Sequence, residues 1–179
     1  MKTFHKAGAV IATTFLAVSF SAYAGHTNTL LKADLKGKHQ VATTEVDKNK
    51  KNVGDKNGYG SARVFGIDGD PTTLCYILEV EKIQLVPVKE GMSAHIHKGK
   101  EGVNGPVVAN LAGPEDGNAA DCLTEGEKGK FPTGELVKNI LANPVNYYIN
   151  IHNPKYPNGA LRGQLEFQLV EEDDHTHAN

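Results

Sequence analysis

Residues 160–170, ALRGQLEFQLV, alternate along their length: Leu161, Gly163, Leu165, Phe167 and Leu169 take one side, and Arg162, Gln164, Glu166 and Gln168 the other. Successive side chains of a strand point to opposite faces, so a period of two specifies a strand with one buried face. Shorter pieces repeat the theme: TLLKADLKG (29–37), YGSARVFGI (59–67), TLCYILEVEKIQL (73–85), SAHIHKG (93–99), GPVVANL (105–111) and NYYINIH (146–152). They are bounded by Gly-, Pro- and Asn-rich stretches such as DKNKKNVGDKNG (47–58) and NPKYPNG (153–159), which read as a loop and a turn. Residues 112–132 read as a long loop containing Cys122. TGELVKNILANP (133–144) is the one helix candidate, with Glu135, Leu136, Ile140 and Leu141 at helical spacing and Pro144 as the stop. Short alternating strands with one short helix predict an all-β domain, either a β-sandwich or a Greek-key barrel. No internal repeat is present.

The two ends read differently from this middle. MKTFHKAGAVIATTFLAVSFSAYA opens on Lys2 and Lys6, runs through an apolar stretch at 7–20 and closes on Ala22-Tyr23-Ala24. That is the pattern of a signal peptide cut after Ala24, too short for a comfortable membrane span of about 20 residues. No cysteine near the cut offers a lipid anchor. The expectation is a periplasmic or secreted protein with a domain over 25–170 and an acidic tail, EEDDHTHAN (171–179), without an apolar face and disordered. Removing residues 1–24 takes away two lysines and no acid, leaving 17 basic and 21 acidic residues and a net charge of −4. With only Arg63 and Arg162 as arginines, this balance argues against nucleic acid as a partner. In an oxidising compartment the isolated pair Cys75 and Cys122 is expected to form a disulfide, with two thiolate metal ligands as the alternative.

The histidines carry the chemistry. In SAHIHKG, Ala94 and Ile96 are the core-facing residues, so Ser93, His95 and His97 share the opposite face, with the histidine Cα atoms about 6.5–7 Å apart. In NYYINIH, Tyr147, Ile149 and Ile151 are the apolar set, leaving Tyr148, Asn150 and His152 on the other side. Should these strands be neighbours, His95, His97 and His152 form a three-imidazole site suited to copper or zinc. The competing reading makes them ordinary solvent-facing residues, or scaffold in which His97 and His152 bond loop carbonyls. His39, at the edge of the first strand, reads as a surface residue. His26, second in the mature chain, and His175 and His177 in the tail are accessory metal candidates; a frayed terminus and a solvated tail are the alternatives. Arg162 is a candidate anion-steering group, with a surface charge or a turn-stabilising donor as alternatives. No nucleophile triad, paired-carboxylate site or phosphate loop is present.

AHIHKGKEGVNGPVVANL, NYYINIHNPKYPNGALRGQL and the opening LKADLKG together resemble the CHRD domain, over residues 30–169. That resemblance implies an immunoglobulin-like β-sandwich and leaves the activity open, with a non-catalytic extracellular interaction module among the possibilities. His-Ile-His followed by a Gly-rich loop is also similar to the copper strand of the Cu/Zn superoxide dismutases. This second similarity implies copper on His95 and His97, with His152 as the distal ligand, Arg162 as the anion guide, and copper-dependent redox activity toward superoxide. The loop after His97 lacks the zinc subsite of that family, so the implied site holds copper alone.

Overall fold

The computed structural model describes residues 29–43 and 53–168. The expected signal peptide, His26, His175 and His177 lie outside them. Nine strands form: β1 (Leu30–Lys36), β2 (Tyr59–Ile67), β3 (Asp70–Glu81), β4 (Ser93–Lys98), β5 (Val107–Leu111), β6 (Asn118–Thr124), β7 (Tyr147–Asn153), β8 (Tyr156–Gln164) and β9 (Glu166–Phe167). One α-helix, α1 (Val137–Ala142), and short 3₁₀ turns at Gly37–His39 and Pro144–Asn146 complete the described residues.

All pairings are antiparallel, in the order β5-β4-β7-β8-β1-β2-β3-β6, with β9 added to β1. β8 and β1 meet through a single pair, Lys36 opposite Arg162. On either side of that seam, apolar residues of both groups of strands enter one buried cluster. Leu31, Leu35, Val64, Leu74 and Leu78 come from one group, and Ala94, Ile96, Ile149, Ile151 and Leu161 from the other. The result is an all-β, nearly closed antiparallel sheet folded over one core. No helix among the described residues is long and apolar enough to cross a membrane.

Five expectations about the elements need correction. The stretch 112–132 is not all loop: Asn118–Thr124 pairs residue for residue with β3, placing Cys122 opposite Cys75. This strand escaped the periodicity because only Leu123 of its seven residues is buried; ladder hydrogen bonds and a covalent bridge hold it, not an apolar face. The Cys75–Cys122 disulfide joins Cα atoms 4.0 Å apart, which removes the thiolate-ligand alternative. The helix is shorter than the 133–144 window because Glu135, with its carboxylate bonded to Lys98 and Asn139, stays outside it. Glu125 instead accepts the first helical N–H, that of Val137, at 2.7 Å. The hairpin between β7 and β8 turns tightly at Pro154 and Lys155, where Asn153 Oδ1 accepts the Tyr156 N–H, so β8 starts at Tyr156 and not at 160. The alternation from Leu161 breaks after Gln164: pairing with β7 ends there, β9 continues along β1 in the register set by Lys36 and Arg162, and Phe167 is 49% exposed. The 73–85 strand likewise occupies Asp70–Glu81.

Candidate functional site

β4 and β7 are direct neighbours, with Ser93 opposite His152, His95 opposite Asn150 and His97 opposite Tyr148. Parity does the sorting, since Ala94, Ile96, Ile149 and Ile151 are fully buried in the core and the three histidines converge on the opposite face. Their ring centroids lie 5.7 Å (His95–His97), 5.2 Å (His95–His152) and 6.4 Å (His97–His152) apart. One ring nitrogen from each falls within 4.8 Å of the others.

That face does not look onto open solvent, as strand parity alone suggested. Tyr148, Asn150 and Arg162 on it are buried, and the histidines are half-buried. The cover is the loop 99–106 between β4 and β5. Its Gly99 N–H donates to Asn146 O (2.7 Å) and Gly105 N–H to the Tyr148 hydroxyl (3.2 Å), while Gln164 Nε2 reaches Gly99 O (3.1 Å). Gly105 is required where it stands, because a Cβ there would lie 1.7 Å from the Lys98 carbonyl oxygen. That carbonyl is backbone and cannot swing away without breaking the adjacent Lys98 N–H to Pro106 O bond. Gly105→Ala is expected to cost about 2–3 kcal/mol, read as a lower urea midpoint at unchanged slope.

Two backbone carbonyls, one in this loop and one in β8, fix proton positions. His97 Nδ1 lies 2.9 Å from Gly105 O and His152 Nδ1 2.9 Å from Pro157 O. A carbonyl only accepts, so each ring carries its proton on Nδ1 and presents a lone pair at Nε2. Those two Nε2 atoms and Nδ1 of His95 are buried and have no hydrogen-bond partner. A buried polar atom left unpaired costs about 1–3 kcal/mol, and here three of them point into one space. Burial pushes His95 down to about 4, helped by its neighbours His152 and His97. Burial likewise lowers His97 against the raising effect of the Gly105 carbonyl, and lowers His152 against that of Pro157. All three rings are therefore neutral at pH 7, the form that ligates metals.

One consequence is acid sensitivity of the metal-free protein. Unfolded, His95 takes up its proton near pH 6.5; folded, it refuses it until about pH 4. Between those values the unfolded chain binds more protons, so stability falls as pH falls. After discounting for partial exposure, His95 is expected to contribute a loss of about 2–3 kcal/mol across that window. Urea unfolding at neutral pH and at about pH 4.5 checks it; His95→Asn removes the titrating group and should flatten the dependence.

The three-imidazole cluster fits a first-row transition metal. Nitrogens bound tetrahedrally to zinc at about 2.0–2.1 Å sit roughly 3.4 Å apart, so closing from 4.8 Å asks for small ring rotations on fixed strands. No carboxylate belongs to the group. Arg162, on β8 opposite Asn150, is no surface charge. It is 2% exposed and hands its donors to Lys100 O (3.1 Å), Val103 O (2.8 Å) and Asn104 Oδ1 (3.1 Å). Its guanidinium lies 3.4 Å from the Tyr148 ring centroid. His39 is half-buried, donating from Nδ1 to Arg162 O at 3.2 Å. The sequence reading placed Tyr148 on the histidine face but gave it no role, and passed over Gly105, one glycine among several.

No curated protein and no solved structure matches the chain. The model of the CHRD domain matches residues 31–165, a span that takes in all three clustered histidines, both cysteines and Arg162, and the chain belongs to the CHRD domain family.

Proposed function

We propose that this chain is an exported CHRD-domain protein that binds a transition metal, copper or zinc, through Nδ1 of His95 and Nε2 of His97 and His152. The observation that carries the reading is the trio of buried, unpartnered nitrogens facing one another. Two are neutral lone pairs set by carbonyl bonds on the far side of their rings, the usual support of a metal-ligating histidine. Copper would supply one-electron redox chemistry and zinc a Lewis acid. The Cys75–Cys122 bridge supports a periplasmic or secreted location, where disulfides persist.

A second reading makes the domain a metal-free extracellular interaction module, and the bonds from His97 and His152 to loop carbonyls favour it. It leaves His95 without a purpose, since no carbonyl takes up its buried Nδ1. Elemental analysis separates the two. Protein exported naturally and purified untagged without chelator should carry near-stoichiometric copper or zinc, and the His95→Ala/His97→Ala variant none. Wild-type protein that arrives metal-free and also fails to take up added Cu²⁺ or Zn²⁺ would sink the metal reading.

A further inference from the structure

Arg162 poses a problem of its own. A guanidinium 2% exposed ordinarily bonds a carboxylate, yet its hydrogen-bond acceptors among the described residues are Lys100 O, Val103 O and the Asn104 side-chain oxygen, while Glu101 acts on it only through space. All three belong to the loop that covers the histidines. Asn104 passes the connection on, donating from Nδ2 to Val41 O and Ala42 O at 3.4 Å. The next residue, Gly105, supplies the carbonyl that fixes His97. The opposite side of the guanidinium presses on the Tyr148 ring at 3.4 Å, and that ring stacks on His97 at 4.8 Å with planes 10° apart. Tyr148 closes the circuit by accepting the Gly105 N–H through its hydroxyl.

Both restraints on the His97 ring, one at its edge and one on its face, therefore lead back to the same cation. His152 does not share them: its Nδ1 is held by Pro157 O, in the β7–β8 hairpin. We infer that Arg162 is a positioning residue for His97, locking the ring through the 99–106 loop and through Tyr148 so that Nε2 faces His95 and His152. The inference rests on the metal reading only for what the ring is positioned toward. It assigns the guanidinium a task different from steering anions, since three of its donors are engaged by the loop and its face by Tyr148. Lysine does not replace it: an ammonium lacks the planar fork that reaches several carbonyls at once and the flat face that stacks.

The test uses the full mature chain with Arg162→Lys, and Asn104→Ala as the milder cut of the same clamp should the first fold poorly. Long-range ¹H–¹⁵N spectra of the metal-free proteins report which ring nitrogen of each histidine holds the proton, and competition titrations with Zn²⁺ and Cu²⁺ report affinity. Wild type should show Nδ1–H on both His97 and His152. In the variants the His97 signal should become a mixture of tautomers while that of His152 stays put, and metal affinity should fall about 10–100-fold. A general loss of structure would move both histidines together. Unchanged His97 spectra, simultaneous collapse of both, or a scrambled His97 with wild-type affinity would each overturn the inference. Wild type that binds neither ion, but whose His97 still responds selectively to the variants, would overturn the metal reading and leave the clamp standing.

Discussion

Metal-saturated protein is expected to unfold about 8–16 °C above the metal-free form. An ion that binds only the folded chain, at a free concentration a thousandfold above its Kd, stabilises by about 4 kcal/mol. For a domain of this length each kcal/mol moves Tm by about 2–4 °C. His95→Ala/His97→Ala should abolish the shift. The single variants divide the two roles further. Without metal, His95→Ala removes a ring whose buried Nδ1 has no partner, so stability should change by no more than about 1 kcal/mol. His97→Ala strands the Gly105 carbonyl and uncovers one face of Tyr148, and should cost about 2–3 kcal/mol. Scanning calorimetry with and without chelator checks all four proteins. If the histidines were scaffold alone, chelator would change nothing in any of the four.

Removal of the disulfide is the other large effect. Cys75 and Cys122 close a loop with a sequence separation of 47, for which chain entropy gives about 4 kcal/mol, again about 8–16 °C in Tm. The loss should show first in β6. That strand ends the sheet order beside β3 and buries only Leu123, so without the bridge it has little beyond its ladder to hold it. Hydrogen exchange in Cys75→Ala/Cys122→Ala should quicken at the β6 amides well before those of β4 and β7. The histidines stand beyond the seam from β3 and β6, so metal affinity measured below the melting range should be unchanged. A variant that loses metal with its disulfide would mean that the two ends of the sheet are coupled.

What could be read from the residues followed the strength of the period-two signal. Ala94 and Ile96, and Ile149 and Ile151, sorted themselves inward, so His95, His97 and His152 were placed on one face before any neighbour was known. Strand parity says which side a residue takes but not what lies over that side. Hence Arg162, Tyr148 and Asn150, outward by parity, are buried under a loop whose path depends on contacts between residues far apart in sequence, such as Gly105 N–H to the Tyr148 hydroxyl. β6 failed for the opposite reason: its residues pair well but bury little, so nothing in NAADCLT stands out from a loop. The break after Gln164 was equally silent, because Phe167 continues the alternation in sequence while its backbone has left β7 and keeps only β1 as a partner.

In β4 the fold and the chemistry are interleaved but separable. Ile96 belongs to the core and its flanking histidines to the site, and neither set shares a side-chain contact surface with the other's neighbours across the sheet. On the proposed metal reading, carboxylates or thiolates in place of the imidazoles would retune the choice of ion while Ala94, Ile96, Ile149 and Ile151 keep the core filled, and a replacement at position 97 would give up the bond to Gly105 O. This makes the β4–β7 pair a natural place for one architecture to diversify, by descent or by design.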